Sequence, residues 1–268
     1  MDIHTFVTNI ADEQEKPLDN LVSDGGFCSI FRTIGCVGDS LSSGEFEAYD
    51  ENGTKLYLDF YEYSWGQFLA RMAGNKVYNF SRGGMTAKEY MEAFAAKQLF
   101  WNQDKACQAY IIALGVNDVL NKGQEVGSVE DICMEDWKQN KPTFAGYYAQ
   151  IVQRLKEIEP DAKFFFVTIP RASAELSERE QRCAAHAKVL CDMAEVFSNA
   201  YVIDLHRYAP VFDKAFCEKF NMGGHMNPCG YALFAKIVAS YIDYIIRHNF
   251  SDFKKVGFIG TPYKNDRA

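Results

Sequence analysis

The chain alternates short, uninterrupted apolar segments with longer stretches in which apolar residues recur at helical spacing. The apolar segments have the length of buried strands, and each is followed by a glycine, a proline or a polar residue. The pattern predicts five strands, at residues 33–37, 76–80, 109–114, 162–168 and 201–204. It predicts helices at residues 64–72, 86–97, 144–158, 177–197 and 230–246, with a shorter helical piece near 210–216.

Strands that alternate with helices are typical of a parallel sheet covered on both faces. We therefore predict an α/β fold, a three-layer α/β/α sandwich with a mostly parallel five-stranded sheet. The chain has no fixed repeat and no clear linker, which favours one domain over residues 33–250. Residues 1–32 are predicted to form an N-terminal extension packed on the outside of this domain. Residues 251–268 are predicted to form a polar C-terminal tail on the surface.

Composition narrows the classes of partner. The 268 residues are 48% hydrophobic, which is enough for a large core. The 28 Lys and Arg against 36 Asp and Glu give a formal net charge of −8, which argues against nucleic acid and anionic membranes as partners. The longest continuous apolar runs are far too short to span a bilayer, so no membrane partner is predicted.

The cysteine spacing and the first residues bear on location and cofactors. Eight cysteines are scattered without a Cys-x-x-Cys pair, and no His/Asp cluster has metal-ligand spacing. The start of the sequence lacks the basic and apolar regions of a signal peptide. We expect reduced thiols, a cytoplasmic location, and neither a metal nor another cofactor.

The first predicted strand ends in Gly38-Asp39-Ser40, and glycine returns at Gly44. The carboxyl edge of a parallel sheet is where open α/β proteins place their ligands. Ser40 is therefore a candidate nucleophile at this edge. The alternative is that Asp39 and Ser40 only cap a turn, as these residue types often do.

Three later positions combine with Ser40. Gly84 lies in the glycine-rich turn after the second strand, Asn117 follows the third strand, and His225 lies in a loop before the last long helix. Each has an ordinary structural explanation by itself: a turn glycine, a helix cap, and a histidine bonded to a loop carbonyl. Their occurrence together with Ser40, in this order, favours a catalytic site.

The chain resembles the SGNH (GDSL) hydrolases in four sequence blocks. These are Gly38-Asp39-Ser40-Leu41, Asn79-x-Ser81-x-x-Gly84-x-Thr86, Gly115-x-Asn117-Asp118, and, in part, His225 before the final helix. The resemblance implies a flavodoxin-like hydrolase fold with Ser40 as the nucleophile and His225 as the general base. It also implies an oxyanion hole formed by the N–H groups of Ser40 and Gly84 and the side-chain amide of Asn117.

These residue types suit ester chemistry. A serine hydroxyl is a weak nucleophile until a neighbouring base removes its proton, and an imidazole can do so near neutral pH. Charge then develops on the carbonyl oxygen, where each fixed N–H donor contributes about 2.7–4 kcal/mol in well-studied enzymes. Asn117 would supply such a donor without the negative charge of an aspartate.

The chain departs from the resemblance at the residue that orients the histidine. The family places an aspartate three residues before the histidine, and this chain has Met222 there. A methionine cannot hold the imidazole tautomer or stabilise the imidazolium. Three substitutes remain open: a backbone carbonyl within residues 221–224, which we favour, Asp213, or Asp204. His206 is a less favoured rival base.

The substrate class follows only from the family and from missing lipid signals. We expect a small-molecule ester, with a short acyl group such as acetyl on a small or carbohydrate alcohol. Segments 45–63 and 119–142 are rich in aromatics and acids and could form a lid, a sugar platform or packed loops. The alternatives are an acyltransferase that uses the same serine and a non-catalytic binding module. The sequence leaves the oligomeric state open.

Overall fold

A computed structural model describes residues 2–265 and contains a central sheet of five parallel strands in the order β4-β1-β5-β6-β7. The strands of this sheet are β1 (Thr33–Gly38), β4 (Lys76–Ser81), β5 (Ala109–Ala113), β6 (Lys163–Val167) and β7 (Ala200–Ile203). Two antiparallel hairpins lie outside it, β2 (Glu45–Tyr49) with β3 (Lys55–Asp59), and β8 (Asn221–Met222) with β9 (His225–Met226). The predicted strands and the mostly parallel sheet are confirmed.

The helices alternate with the strands of the central sheet. They are α1 (Ile3–Ile10), α2 (Ser40–Ser43), α3 (Trp65–Ala73), α4 (Ala87–Glu89), α5 (Ala95–Lys97), α6 (Phe144–Ile158), α7 (Glu178–Val196), α8 (Leu205–Tyr208), α9 (Lys214–Phe220), α10 (Pro228–His248) and α11 (Phe250–Phe253). A π-helical turn, Tyr90–Phe94, joins α4 to α5. The shorter helix predicted near 210–216 begins later, because the Asp213 side chain caps α9 at the Phe216 N–H.

Two apolar cores lie on opposite faces of the sheet. Helices α3 and α10 cover one face, and α4, α5, α6 and α7 cover the other. Successive residues of a strand pack into opposite cores: Cys36 and Ile111 lie in the first core, whereas Val37 and Ile112 lie in the second. Because both faces are buried, the strands read in the sequence as continuous apolar runs. This is the predicted three-layer sandwich.

The ends of the chain pack more closely than the sequence suggests. The tail from residue 251 was expected on the surface, but Phe253, Val256 and Ile259 are buried against the core. At the other end, the N–H groups of Val22 and Phe27 donate to side chains of α10. The division into residues 1–32, 33–250 and 251–268 stays a prediction.

Helix α10 also differs from a sequence expectation. By length and composition alone it is apolar enough to cross a bilayer, although no continuous apolar run of the sequence indicated this. In the structure, 72% of its most apolar window is buried inside the protein. Its buried side chains form much of the core between α3 and the sheet, which is typical of a core helix.

Candidate active site

Ser40 follows Asp39 after strand β1, at the carboxyl edge of the sheet. Asp39 caps the short helix α2, and its Oδ1 accepts the Leu41 N–H at 3.1 Å. A Cβ on Gly38 would collide with the Ser42 side chain, so the strand must end in glycine for α2 to fold back over it. Gly44, with φ of 83°, ends α2 in the left-handed conformation and starts β2. Ser40 is half-buried at this turn.

Gly84 and Asn117 follow the two strands that pair with β1. Gly84 has φ of 71°, and a Cβ there would meet no atom within 4 Å. Glycine is therefore required by the backbone conformation, and the turn is open on that side. The Asn117 Nδ2 donates to Asp39 Oδ2 at 3.3 Å and to the Met85 carbonyl at 3.2 Å. This amide ties together the loops that follow β1, β4 and β5.

Two aspartates beneath these loops, Asp39 and Asp118, are buried, and neither forms an ion pair with a residue that the structure describes. Burial raises the pKa of Asp39 to about 7 and the pKa of Asp118 to about 6, while backbone N–H donors partly oppose both shifts. Asp118 Oδ1 accepts the Ala87 N–H at 2.8 Å and so holds the start of α4. The two carboxyl groups fix the loops that carry Gly84 and Asn117.

His225 lies between two glutamates of β2. Its Nδ1 is 3.0 Å from Glu47 Oε1, and its Nε2 is 3.1 Å from Glu45 Oε1. Residues 45 and 47 lie on the same side of a strand, because side chains alternate with a period of two. The imidazole therefore fits between two carboxylates of one strand. A neutral imidazole has only one N–H, so it can donate to only one of the two carboxylates at a time.

Glu47 is fixed at both carboxylate oxygens. Its Oε1 also accepts the Gly224 N–H at 2.9 Å, and its Oε2 lies 2.8 Å from Lys55 Nζ on strand β3. The Lys55 ammonium, followed by the His225 and Gly224 donors, lowers the pKa of Glu47 to about 2 against the opposing effect of burial. Sequence reasoning missed this glutamate as a site residue, and it missed Glu45 as well.

Glu45 lies on the other side of the imidazole. A Cβ on Gly83 would collide with Glu45 Oε2, so this carboxylate reaches from Nε2 to the glycine-rich turn. Burial raises the pKa of Glu45, and His225 opposes that effect. Ser40 Oγ makes no hydrogen bond to His225 in the part of the chain that the structure describes. The nitrogen that would accept the serine proton therefore faces Glu45 in this structure.

The residues that the sequence offered as alternative partners of His225, or as an alternative base, make other contacts in the structure. Asp213 caps α9, and Asp204 Oδ1 accepts from Thr168 Oγ1 at 3.1 Å and from the Arg207 N–H. His206 lies in α8, after β7, and its own N–H donates to Thr168. The favoured backbone carbonyl is also wrong, because Nδ1 faces the Glu47 carboxylate. Met222 is 47% exposed.

The described residues at this edge of the sheet do not form a metal-binding site. Within residues 2–265, no group of three or more His, Cys, Asp or Glu side chains could hold a metal ion. The site instead combines a hydroxyl, an imidazole, two carboxylates and amide donors. Such a set can activate a hydroxyl and stabilise an oxyanion.

Solved structures share the fold at low sequence identity. A family two carbohydrate esterase from Clostridium thermocellum, in complex with cellohexaose, is 14% identical with a TM-score of 0.55, over 89% of this chain and 66% of that chain. A carbohydrate esterase family 2 enzyme with a carbohydrate-binding domain, from Corynascus thermopiles (Myceliophthora fergusii), is 15% identical with a TM-score of 0.54, over 79% and 65%. The acetyl xylan esterase AlAXEase is 15% identical with a TM-score of 0.51, and the match covers 78% of this chain and 99% of that chain.

A family model matches this sequence, although no single curated protein does. The sequence model of the GDSL-like Lipase/Acylhydrolase family matches residues 36–233, which include Ser40, Gly84, Asn117 and His225. The chain therefore belongs to the GDSL-like lipase/acylhydrolase family.

Proposed function

We propose that the protein is a serine hydrolase that cleaves carboxylic esters through an acyl-enzyme on Ser40, with His225 as the base. The observation that carries the proposal is the arrangement at the sheet edge. The loops after β1, β4 and β5 are joined by the Asn117 amide, and α2 packs against the β9 strand that carries His225. Membership of an acylhydrolase family supports the same chemistry.

The reaction proceeds in two balanced steps. Ser40 Oγ attacks the acyl carbon while its proton passes to His225 Nε2, and the tetrahedral intermediate expels the alcohol, which takes that proton. Water then attacks the acyl-enzyme in the same way, gives its proton to Nε2, and releases the carboxylic acid as the proton returns to Ser40. The oxyanion receives N–H donors from Ser40, Gly84 and Asn117.

Two contacts of the resting structure must change during this cycle. Glu45 must leave Nε2, because a nitrogen that shares a proton with a carboxylate cannot accept the serine proton. The Asn117 amide must also exchange its contact with Asp39 or with the Met85 carbonyl for the oxyanion. An ester that reacts at Ser40 must displace both contacts.

We further propose a short acyl group, such as acetyl, on a small or carbohydrate alcohol. Tyr57 lies edge-on to the His225 ring, with centroids 6.0 Å apart, and its side chain is 55% exposed. An exposed aromatic face next to the base can pack against the apolar face of an alcohol such as a sugar. The carbohydrate esterases that share the fold support this substrate class.

A panel of p-nitrophenyl esters from acetate to decanoate, together with acetylated xylo-oligosaccharides, tests the proposal. We expect acetate to be cleaved fastest, and Ser40→Ala to lower kcat by about 10⁴-fold or more, as removal of a nucleophile does in other serine hydrolases. Faster cleavage of decanoate would reject the short-chain specificity. Wild-type activity in Ser40→Ala would reject the serine mechanism.

A further inference from the structure

We propose that Glu47, on the β2–β3 hairpin, is the positioning residue for His225 and takes the part that the aspartate before the histidine usually has. The inference rests on the proposed function, because the role matters only where His225 is the base. Glu47 precedes His225 by 178 residues. The acid of this site therefore comes from the element that follows the nucleophile, and the base comes from the opposite end of the chain.

The first support is the geometry at Nδ1. The Glu47 Oε1 lies 3.0 Å from this nitrogen, within hydrogen-bond range, and accepts the Gly224 N–H at the same time. A carboxylate at Nδ1 fixes the proton on that nitrogen and leaves Nε2 to exchange protons with the nucleophile. The contact to Gly224 also joins the hairpin to the loop that presents His225.

The second support is the loop itself, which is shaped around Glu47. Gly223 has φ of 74°, and a Cβ there would collide with Glu47 Oε2. A Cβ on Gly224 would lie 2.7 Å from Glu47 Oε1. The two glycines therefore leave space that the carboxylate fills. Met222, at the position of the usual aspartate, contributes no charge to this turn.

The third support is the charge state of Glu47. Lys55 on the partner strand holds the pKa of this carboxyl at about 2, so Glu47 is ionised at every pH at which an ester hydrolase is assayed. Its side chain is only 8% exposed. A poorly solvated carboxylate interacts with an imidazolium more strongly than one in bulk water does. Lys55 therefore acts on His225 through Glu47.

Rival acids are excluded by their own contacts. Glu45 faces Nε2, and a carboxylate on that nitrogen competes with the nucleophile for the base. Asp213 and Asp204 cap helices α9 and α8. Of the acidic side chains that the structure describes, Glu47 alone lies at Nδ1 in the hydrogen bonds of His225.

The test compares Glu47→Gln, Glu47→Asp and Glu51→Gln in the full chain. Glu51 lies in the exposed turn of the same hairpin, so its variant makes the same charge change without a contact to His225. We expect Glu47→Gln to lower kcat on the order of 10⁴-fold with little change in KM. We expect Glu47→Asp to recover part of that loss, and Glu51→Gln to keep wild-type kcat.

A second readout does not depend on activity. The Nδ1 proton of His225 should give a downfield proton resonance, assigned by its loss in His225→Gln. We expect the resonance to disappear or move upfield in Glu47→Gln and to stay in Glu51→Gln. Loss of the ionised Glu47 also lowers the thermal midpoint of Glu47→Gln, so the spectra are compared at a temperature at which both variants are folded. A purely structural role would lower the midpoint and leave the resonance of the folded fraction unchanged.

The outcomes separate this inference from the proposed function. If Glu47→Gln keeps both kcat and the resonance, the positioning role is rejected and the esterase stands. If the wild type cleaves no ester but the resonance still responds to Glu47→Gln, ester hydrolysis is rejected, and Glu47 still sets the tautomer of His225.

Discussion

At the scale of single residues, the two glutamates of β2 act on one imidazole with opposite consequences. Glu47 at Nδ1 leaves the other nitrogen free, whereas Glu45 at Nε2 occupies it. The pKa of Glu45 is raised by burial, with an opposing effect of His225, and the pKa of Glu47 is lowered, chiefly by Lys55. Two residues of the same type thus differ because only one has a lysine partner.

Glu45 is expected to make the reaction more sensitive to acid. Burial raises the pKa of Glu45, so a proton on this carboxyl persists to higher pH than on an ordinary glutamate and lies beside Nε2. Glu45→Ala removes this group, which competes with Ser40 for Nε2. We expect the acid limb of the kcat/KM profile to move to lower pH, measured on an acetate ester between pH 4 and 9.

The matched control for this experiment is Glu51→Ala, which removes a carboxylate from the same hairpin. Its profile should coincide with that of the wild type. An acid limb that stays in place or moves to higher pH in Glu45→Ala would contradict the competition between Glu45 and Ser40 for Nε2.

At the scale of elements, local sequence patterns predict the central strands well and the exact start of a helix poorly. The central strands are recognisable because both faces are buried. The Asn52-Gly53 dipeptide is typical of a hairpin turn and lies between β2 and β3, where Gly53 has φ of 79°. Helix α9 begins later than predicted because the side chain of Asp213 caps it. Boundaries of this kind depend on single contacts and not on periodicity.

The partner of His225 could not be predicted because it depends on a contact between distant segments. No periodicity relates residue 47 to residue 225. The available signal was the alternation of Glu45 and Glu47 shortly after the nucleophile, because two such residues lie on the same side of a strand. The candidates Asp204 and Asp213 were considered because they are closer to His225 in the chain, and proximity in sequence was the wrong criterion.

At the scale of the whole molecule, the N-terminal segment is bound to α10 by charge. Arg247 lies 2.6 Å from Glu15 Oε2 and 2.7 Å from Asp243 Oδ2, and all three side chains are largely buried. The Arg247 hydrogen bond lowers the pKa of Glu15. Arg247 and Asp243 lie near the C-terminal end of α10, the helix that begins shortly after His225.

Arg247→Met is expected to destabilise the protein without changing ester hydrolysis. It leaves two poorly solvated carboxylates without their cation, which costs on the order of 3 kcal/mol. The Glu15 contribution is present above its ordinary pKa of 4.5 and is lost as pH falls through the lowered value, so the wild type and the variant should converge in acid. Thermal midpoints at pH 7 and pH 3.5 measure this.

Lys188→Met, which removes an exposed ion pair to Asp192 on α7, is the control. Exposed pairs contribute about 0–1 kcal/mol, so its midpoint should barely change. A thermal midpoint for Arg247→Met as high as that of the control would contradict the role of this cluster. A difference in midpoint between Arg247→Met and the wild type that is larger at pH 3.5 than at pH 7 would contradict it as well.

The most direct measurement is the reaction of the full chain with a fluorophosphonate, read by intact mass and peptide mapping. The account predicts one adduct, on Ser40, that is absent in Ser40→Ala and His225→Gln and forms slowly in Glu47→Gln. A wild-type chain that forms no adduct, or forms it on another residue, would contradict a hydroxyl activated at this edge of the sheet.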